Sequence, residues 1–156
     1  MDTPLKILVA EDELNDVLLL KDAFAKAGVK PPIYFASDGQ EVMDYLDGKS
    51  PFDNPVKYPL PNLLLLDLKL PRASGFEVLE WLRGHPTLNR LLVVVFSESG
   101  EARDVTRAYS LGANAYIIKP RGRDELVHIV ECLQKYWLNI HAERDQFLPI
   151  PELMAG

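Results

Sequence analysis

Short apolar runs alternate along this chain with longer stretches whose apolar positions recur every three or four residues. Lys6-Ile7-Leu8-Val9-Ala10 is too short for a helix and rich in strand formers, so it reads as a strand buried on both faces. Glu13 to Ala27 follows as a helix, with Val17, Leu18, Leu20, Ala23, Phe24 and Ala27 as its apolar face and Gly28 as its stop. Ile33 to Ala36 reads as a second strand. Ser37-Asp38-Gly39 opens a helix through about Gly48, facing inward with Val42, Met43, Tyr45 and Leu46. Leu63 to Leu66 is a third strand, ending in Asp67. Gly75 precedes a helix carrying Phe76, Val78, Leu79 and Leu82 that stops near Gly84-His85-Pro86. Leu91 to Phe96 is a fourth strand, ending at Ser97. Glu101 to Leu111 fits a helix closed by Gly112. Ala115 to Ile118 is a fifth strand, ending in Lys119-Pro120. Arg123 to about Trp137 is a last helix, with Leu126, Ile129, Val130, Leu133 and Trp137 inward.

Repeated strand–helix alternation with uniformly apolar strands predicts an α/β fold. It calls for a doubly wound, five-stranded parallel sheet with helices on both faces. Lys49 to Pro61 interrupts the pattern. Pro51, Pro55, Pro59 and Pro61 fall there and neither period survives, so it reads as a long loop. A chain of 156 residues is expected to form one domain. We place that domain at 5–137 and treat 138–156 as a C-terminal extension of no assigned structure.

Charge narrows the function classes. The net charge of −6 argues against a general nucleic-acid binder, which would show a basic face. The single cysteine, Cys132, rules out an internal disulfide and suggests a reducing compartment. No apolar run approaches the roughly 20 residues of a membrane span, and the N-terminus lacks a signal peptide's regions. The expectation is a soluble, cytoplasmic domain that binds neither membrane nor nucleic acid.

Ligands of open α/β sheets bind at the carboxyl ends of the strands. In this chain those ends carry Glu11-Asp12, Asp67, Ser97 and Lys119. Three converging carboxylates raise one another's pKa or require a cation, and a hard divalent ion such as Mg²⁺ suits oxygen ligands. Taken alone, Glu11 and Asp12 could equally be acids favoured at a helix N-terminus. Central Asp67 can act as a nucleophile toward phosphorus. Lys119 would supply a positive charge and Ser97 a hydroxyl hydrogen bond to the same group.

In that order, on those strand ends, Glu11-Asp12, Asp67, Ser97 and Lys119-Pro120 resemble the receiver domain of two-component response regulators. The resemblance covers about residues 5 to 137. It implies the flavodoxin-like strand order 2-1-3-4-5. It also implies Asp67 as phosphoacceptor from a histidine kinase, with Glu11, Asp12, Asp67 and the Lys69 backbone carbonyl as Mg²⁺ ligands. Ser97 would be the switch hydroxyl, Tyr116 the switch aromatic and Lys119 the active lysine, with Pro120 after a cis bond. The protein would be a phosphoacceptor rather than an enzyme, supporting its own phosphotransfer and dephosphorylation. The long Pro-rich loop, the segment Asp67 to Pro71 and the tail look similar to single-domain regulators paired with bacterial and cyanobacterial phytochrome kinases. That narrower resemblance implies a homodimer through the helix-four, strand-five, helix-five face, with Tyr136, Trp137 and Phe147 as candidate contacts; burial within the domain is the competing reading for these three.

Some residues depart from the family pattern. Glu98, after the switch hydroxyl, is bulky and acidic where a small residue is usual, which would narrow access or repel an anionic donor. Lys69 and Ser99 lie where the family tunes dephosphorylation; Lys69 could screen the attacking water or pair with the phosphoryl group. His85, His128 and His141 read as surface histidines, and Cys132 as packed within the last helix. Rival readings fit less well. An aspartate-nucleophile phosphatase wants a carboxylate at position 69, where lysine stands. A nucleotide or flavin binder wants a Gly, Ser or Thr-rich first loop, whereas Glu11 to Asp16 is acidic. A receiver that binds partners without phosphorylation is opposed by the complete acidic set and kept open by Glu98.

Overall fold

The computed structural model describes residues 5–29 and 33–146, with side chains described as far as Trp137. The chain runs β1 (Ile7–Ala10), α1 (Leu14–Lys26), β2 (Ile33–Ala36), α2 (Gly39–Asp47), β3 (Leu63–Leu66), α3 (Gly75–Arg83), β4 (Leu92–Ser97), α4 (Ala102–Ser110), β5 (Ala115–Ile118) and α5 (Arg123–Gln146). All strand pairs are parallel, in the order β2-β1-β3-β4-β5. This is the predicted doubly wound sheet.

Two cores explain the uniformly apolar strands. Successive side chains point to opposite faces of a sheet. Ile7, Val9, Leu63, Leu65, Val94 and Phe96 pack with α1 and α5 through Leu20, Phe24, Val130 and Trp137. Leu8, Ala10, Leu64, Leu66, Val93 and Val95 pack on the other face with Val42, Leu46, Val78, Leu82 and Ala108 of α2, α3 and α4. Along β1, β3 and β4 neither face meets water, so no polar residue alternates in, whereas the edge strands β2 and β5 are partly exposed.

Local chemistry sets the helix ends. The Asp38 side chain accepts the Glu41 N–H at 2.7 Å and caps α2, while Gly48 ends that helix at φ 65°, where a side chain would be strained. Ser74 caps α3 by accepting the Glu77 N–H at 3.2 Å. The Pro-rich loop is tied down by aromatic packing. Tyr45 donates to the Pro59 carbonyl at 2.9 Å, and Phe52 and Tyr58 stack around its ring. At the sheet's other end the Arg83 guanidinium donates to the carbonyls of Gly112 and Leu91 at 2.6 and 2.7 Å, joining α3 to the starts of β4 and β5.

Several expectations need correction. Leu18 is exposed rather than inward, because the α1 stripe runs through Leu20, Ala23 and Phe24. Helix α5 continues past Trp137 to Gln146, since neither Gly nor Pro occurs between Trp137 and Pro149. Cys132 is exposed, because it lies off the inward stripe of Leu126, Val130, Leu133 and Trp137. His85 is half-buried rather than superficial. Its Nδ1 accepts the Thr87 and Leu88 N–H groups at 3.1 Å, and its Nε2 pairs with Asp47 at 2.8 Å. His128 is exposed, as expected. Among the described residues the cis peptide bond is Ser50–Pro51, so the expected cis bond at Lys119–Pro120 is absent. An X–Pro bond favours trans by only about 0.5–1 kcal/mol, so the residue pair alone does not fix the isomer. The side chain of His141, and the whole of Phe147, lie outside the described residues.

Candidate functional site

Parallel strands deliver all their carboxyl ends to one edge, and the register decides which ends meet. Ala10 pairs with Leu66, Leu66 with Val95, and Ser97 with Ile118. The ladder then runs one step further. The Asp67 N–H donates to Ala10 at 3.1 Å and the Lys119 N–H to Ser97 at 2.8 Å. Glu11 and Asp67 thereby stand level on β1 and β3, while Ser97 and Lys119 lie one and two residues further along β4 and β5, so the four residues step across four strands at one edge. A close approach behind Asp67 helps fix it: a Cβ on Gly75 would collide with the Asp67 carbonyl, so only glycine fits there.

Lys119 is the electrostatic centre of this edge. Its Nζ donates to Glu11 Oε2 at 2.6 Å, Asp67 Oδ2 at 2.9 Å and Asp16 Oδ2 at 3.0 Å. Its side chain is 9% exposed, and those of Glu11 and Asp67 are 2% and 8% exposed. Burial works against the ammonium charge, but the hydrogen bonds to Glu11 and Asp67 outweigh it and hold the pKa above the usual lysine range. Burial pushes the Glu11 carboxyl up to about 7. The Asp67 charge adds to that rise, and the Lys119 and Glu13 hydrogen bonds oppose it. The backbone also grips the carboxylates: the Glu13 N–H donates to Glu11 Oε1 at 3.1 Å and the Lys69 N–H to Asp67 Oδ1 at 3.2 Å.

The donor set suits a hard cation. Carboxylate oxygens of Glu11, Asp12 and Asp67 lie within 4.8 Å of one another, with Glu11 and Asp67 buried and Asp12 exposed at the rim. All are hard oxygen donors facing a cleft of about 180 Å³, also lined by Glu13, Lys69, Glu98 and Lys119. Such a site fits Mg²⁺, which takes one or two carboxylates and keeps several waters.

The expected switch residues lie beside this cleft. Ser97 is 1% exposed, and its Oγ accepts the Ser99 N–H at 3.2 Å. Tyr116 is half-buried on edge strand β5 and donates to the Ser99 carbonyl at 2.7 Å. The Ser99 hydroxyl in turn donates to Asp104 in the first turn of α4 at 2.5 Å. Glu98 and Lys69 are exposed. Sequence reasoning missed two participants, Asp16 as a partner of Lys119 and Ser99 as the joint between Ser97, Tyr116 and Asp104. Position 16 lies in the first turn of α1, where an acid is ordinary, so the sequence carries no signal of this contact.

Fold and site together define a signalling receiver. The model described as "Response regulator receiver domain" matches residues 7–131, and the chain belongs to that family. Such proteins are signalling partners of histidine kinases, in general not enzymes, and bind a divalent metal. The chain is 35% identical over 142 residues to the probable methanogenesis regulatory protein FilR2 of Methanothrix harundinacea, covering 88% of this chain and 86% of that one. It resembles the response regulator RPA3017 in red light signalling of R. palustris, at 38% identity and TM-score 0.82, covering 86% and 94% of the two chains. The phosphorylated cyanobacterial phytochrome response regulator RcpA aligns at 36% identity and TM-score 0.79, covering 87% and 95%. The Mn²⁺-bound form of response regulator Rcp1 aligns at 33% identity and TM-score 0.76, covering 86% and 95%. Among the described residues no helix is long and apolar enough to cross a membrane.

Proposed function

We propose that Asp67 accepts a phosphoryl group from a histidine kinase in a Mg²⁺-dependent reaction. The observation that carries this reading is the 2.9 Å pairing of Lys119 with Asp67 beside the carboxylates of Glu11 and Asp12. An Asp67 carboxylate oxygen forms the new bond to phosphorus. The bond from phosphorus to the donor's imidazole nitrogen breaks, and the imidazole takes up a proton. Lys119, no longer shared fully with the carboxylates, faces the transferred oxygens. Ser97 donates its hydroxyl to them after giving up the Ser99 N–H. Mg²⁺, held by Glu11, Asp12, Asp67 and the Lys69 carbonyl, supplies charge neutralisation at the phosphoryl group.

Residues 5–137 act as the receiver, and 138–156 extend it toward a homodimer. Output runs through the α4–β5–α5 face. Ser97 bonding the phosphoryl group frees space into which Tyr116 turns, changing that face. Exposed Tyr109 and Ile118 and half-buried Tyr136 support a contact there, whereas Trp137 is buried within the domain. The kinase is a phytochrome-type photoreceptor, a reading supported by the likeness to RcpA and RPA3017. The setting is the cytoplasm, without nucleic-acid or membrane binding. Labelling with acetyl phosphate or a candidate kinase, with and without Mg²⁺, tests the central step. Native protein is expected to label only with Mg²⁺ and Asp67→Asn not at all; equal labelling of both would remove the proposal.

A further inference from the structure

Lys119 has three N–H donors and three carboxylate partners, but the partners are not equivalent. Oxygens of Glu11 and Asp67 belong, together with Asp12, to the trio close enough to hold a cation. Asp16 stands outside that trio, on the first turn of α1, and its side chain is 23% exposed. Its own acidic neighbours are Glu13 and Glu98. When a divalent ion draws on Glu11 and Asp67, the Lys119 ammonium loses most of its hold on them. A buried ammonium left beside a metal cation is costly unless a carboxylate still accepts from it. Asp16, at 3.0 Å, is already in place to do so.

We infer that Asp16 is a positioning residue: it takes over Lys119 when the cation occupies Glu11 and Asp67, so the lysine stays aimed at the cleft. The inference rests on the reading of this cleft as a metal and phosphoryl site. Asp16 stabilises the metal-loaded state more than the metal-free one, in which Glu11 and Asp67 hold the lysine anyway. Its removal therefore weakens Mg²⁺ binding through Lys119.

The bland alternative is that Asp16 acts only as one more nearby negative charge, or as an acid favoured at a helix N-terminus. A double-mutant cycle separates the two, read as Mg²⁺ affinity by calorimetry with no phosphodonor present. Asp16→Asn is expected to weaken Mg²⁺ binding roughly tenfold in the native background and by less than about twofold in a Lys119→Met background. Equal losses in both backgrounds would show a charge effect alone and overturn the inference. Should Lys119→Met fold poorly, the Lys119 ammonium signal in nitrogen-15 NMR gives an independent reading on the single variant. With Mg²⁺ it is expected to persist in native protein and broaden by exchange in Asp16→Asn. Without Mg²⁺ it is expected to persist in both. An ammonium signal unchanged by Asp16→Asn under Mg²⁺ would also overturn the inference. Failure of native protein to bind Mg²⁺ would instead remove the reading beneath it, which keeps the two failures apart.

Discussion

The Tyr116 hydroxyl donates a 2.7 Å hydrogen bond to the carbonyl of Ser99, two residues beyond Ser97. This places the β4–α4 turn under the control of strand β5. Ser99 uses its N–H on Ser97, its carbonyl on Tyr116 and its hydroxyl on Asp104. Tyr116→Phe removes one of the three ties while keeping the ring. We expect it to cost about 1 kcal/mol of stability and to leave Asp67 labelling intact. Amide shifts across residues 99–110 on adding a beryllofluoride phosphoryl mimic should shrink. Shifts as large as in native protein would mean that the tyrosine takes no part in the switch.

The Glu11 carboxyl, pushed up to about 7, makes stability depend on pH and, on the proposed reading of Glu11 as a metal ligand, should do the same for metal binding. Between the ordinary value of 4.5 and about 7, the folded chain holds a proton that the unfolded chain has lost. Stability from this group is full at the acid end of that window and falls as pH rises through it. A cation requires the ionised carboxylate, so its apparent affinity runs the other way, climbing toward pH 7 and levelling above. Mg²⁺ titrations at several pH values, with proton release measured, check this. A flat affinity across the window would contradict it.

Lys119→Met leaves Glu11 and Asp67 buried with no cation between them. Breaking a buried pair in this way costs about 3–5 kcal/mol. On the proposed reading Mg²⁺ would neutralise the same carboxylates, so it should return part of that loss. Urea unfolding with and without Mg²⁺ measures both quantities, and a variant as stable as native in the absence of metal would refute the expectation.

Arg83 offers a test of stability remote from the chemistry. Its guanidinium satisfies the Gly112 and Leu91 carbonyls. Arg83→Met keeps much of the side-chain bulk and strands those acceptors. The expected cost is about 2–3 kcal/mol in denaturant unfolding, with Mg²⁺ affinity unchanged.

Glu98 lies exposed on the lining of the cleft. Glu98→Ala should speed labelling by acetyl phosphate roughly threefold, because it removes a like charge from the path of an anionic donor. The acyl-phosphate lifetime, followed in the same experiment, reports water access as well. If neither quantity moved, the gating role of Glu98 would be excluded.

Much of the fold and of the site is legible in the order of the residues alone. The strands stand out because a sheet covered on both sides tolerates no polar alternation. The ends of α2 follow from Asp38 and Gly48, whose local chemistry acts at the helix itself, whereas the Ser74 cap of α3 is not read from the sequence. Glu11, Asp12, Asp67, Ser97 and Lys119 are conspicuous because each lies at the end of an apolar run. Less legible are effects set by direction in space. Leu18 is apolar yet faces outward, and only packing against the sheet and α5 decides which side of α1 turns in. Asp16 reads as an ordinary helix-start acid until Lys119 reaches it from residue 119, more than a hundred positions away. Cys132 resembles core by residue type, although its angle around α5 places it outside.

The cleft lining has a kinetic consequence. Five acids and two lysines face the same small volume. Its field therefore discriminates among visitors by their sign before any contact forms. Small anionic donors approach against that field, so added salt, which shortens its reach to about 8 Å at 0.15 M, should raise their encounter rate. A protein donor presenting a basic rim would be drawn in by the same field and slowed by the same salt. Opposite ionic-strength slopes for the two kinds of donor would make the domain an electrostatic filter, favouring a docked macromolecule over free metabolites of equal chemical reactivity.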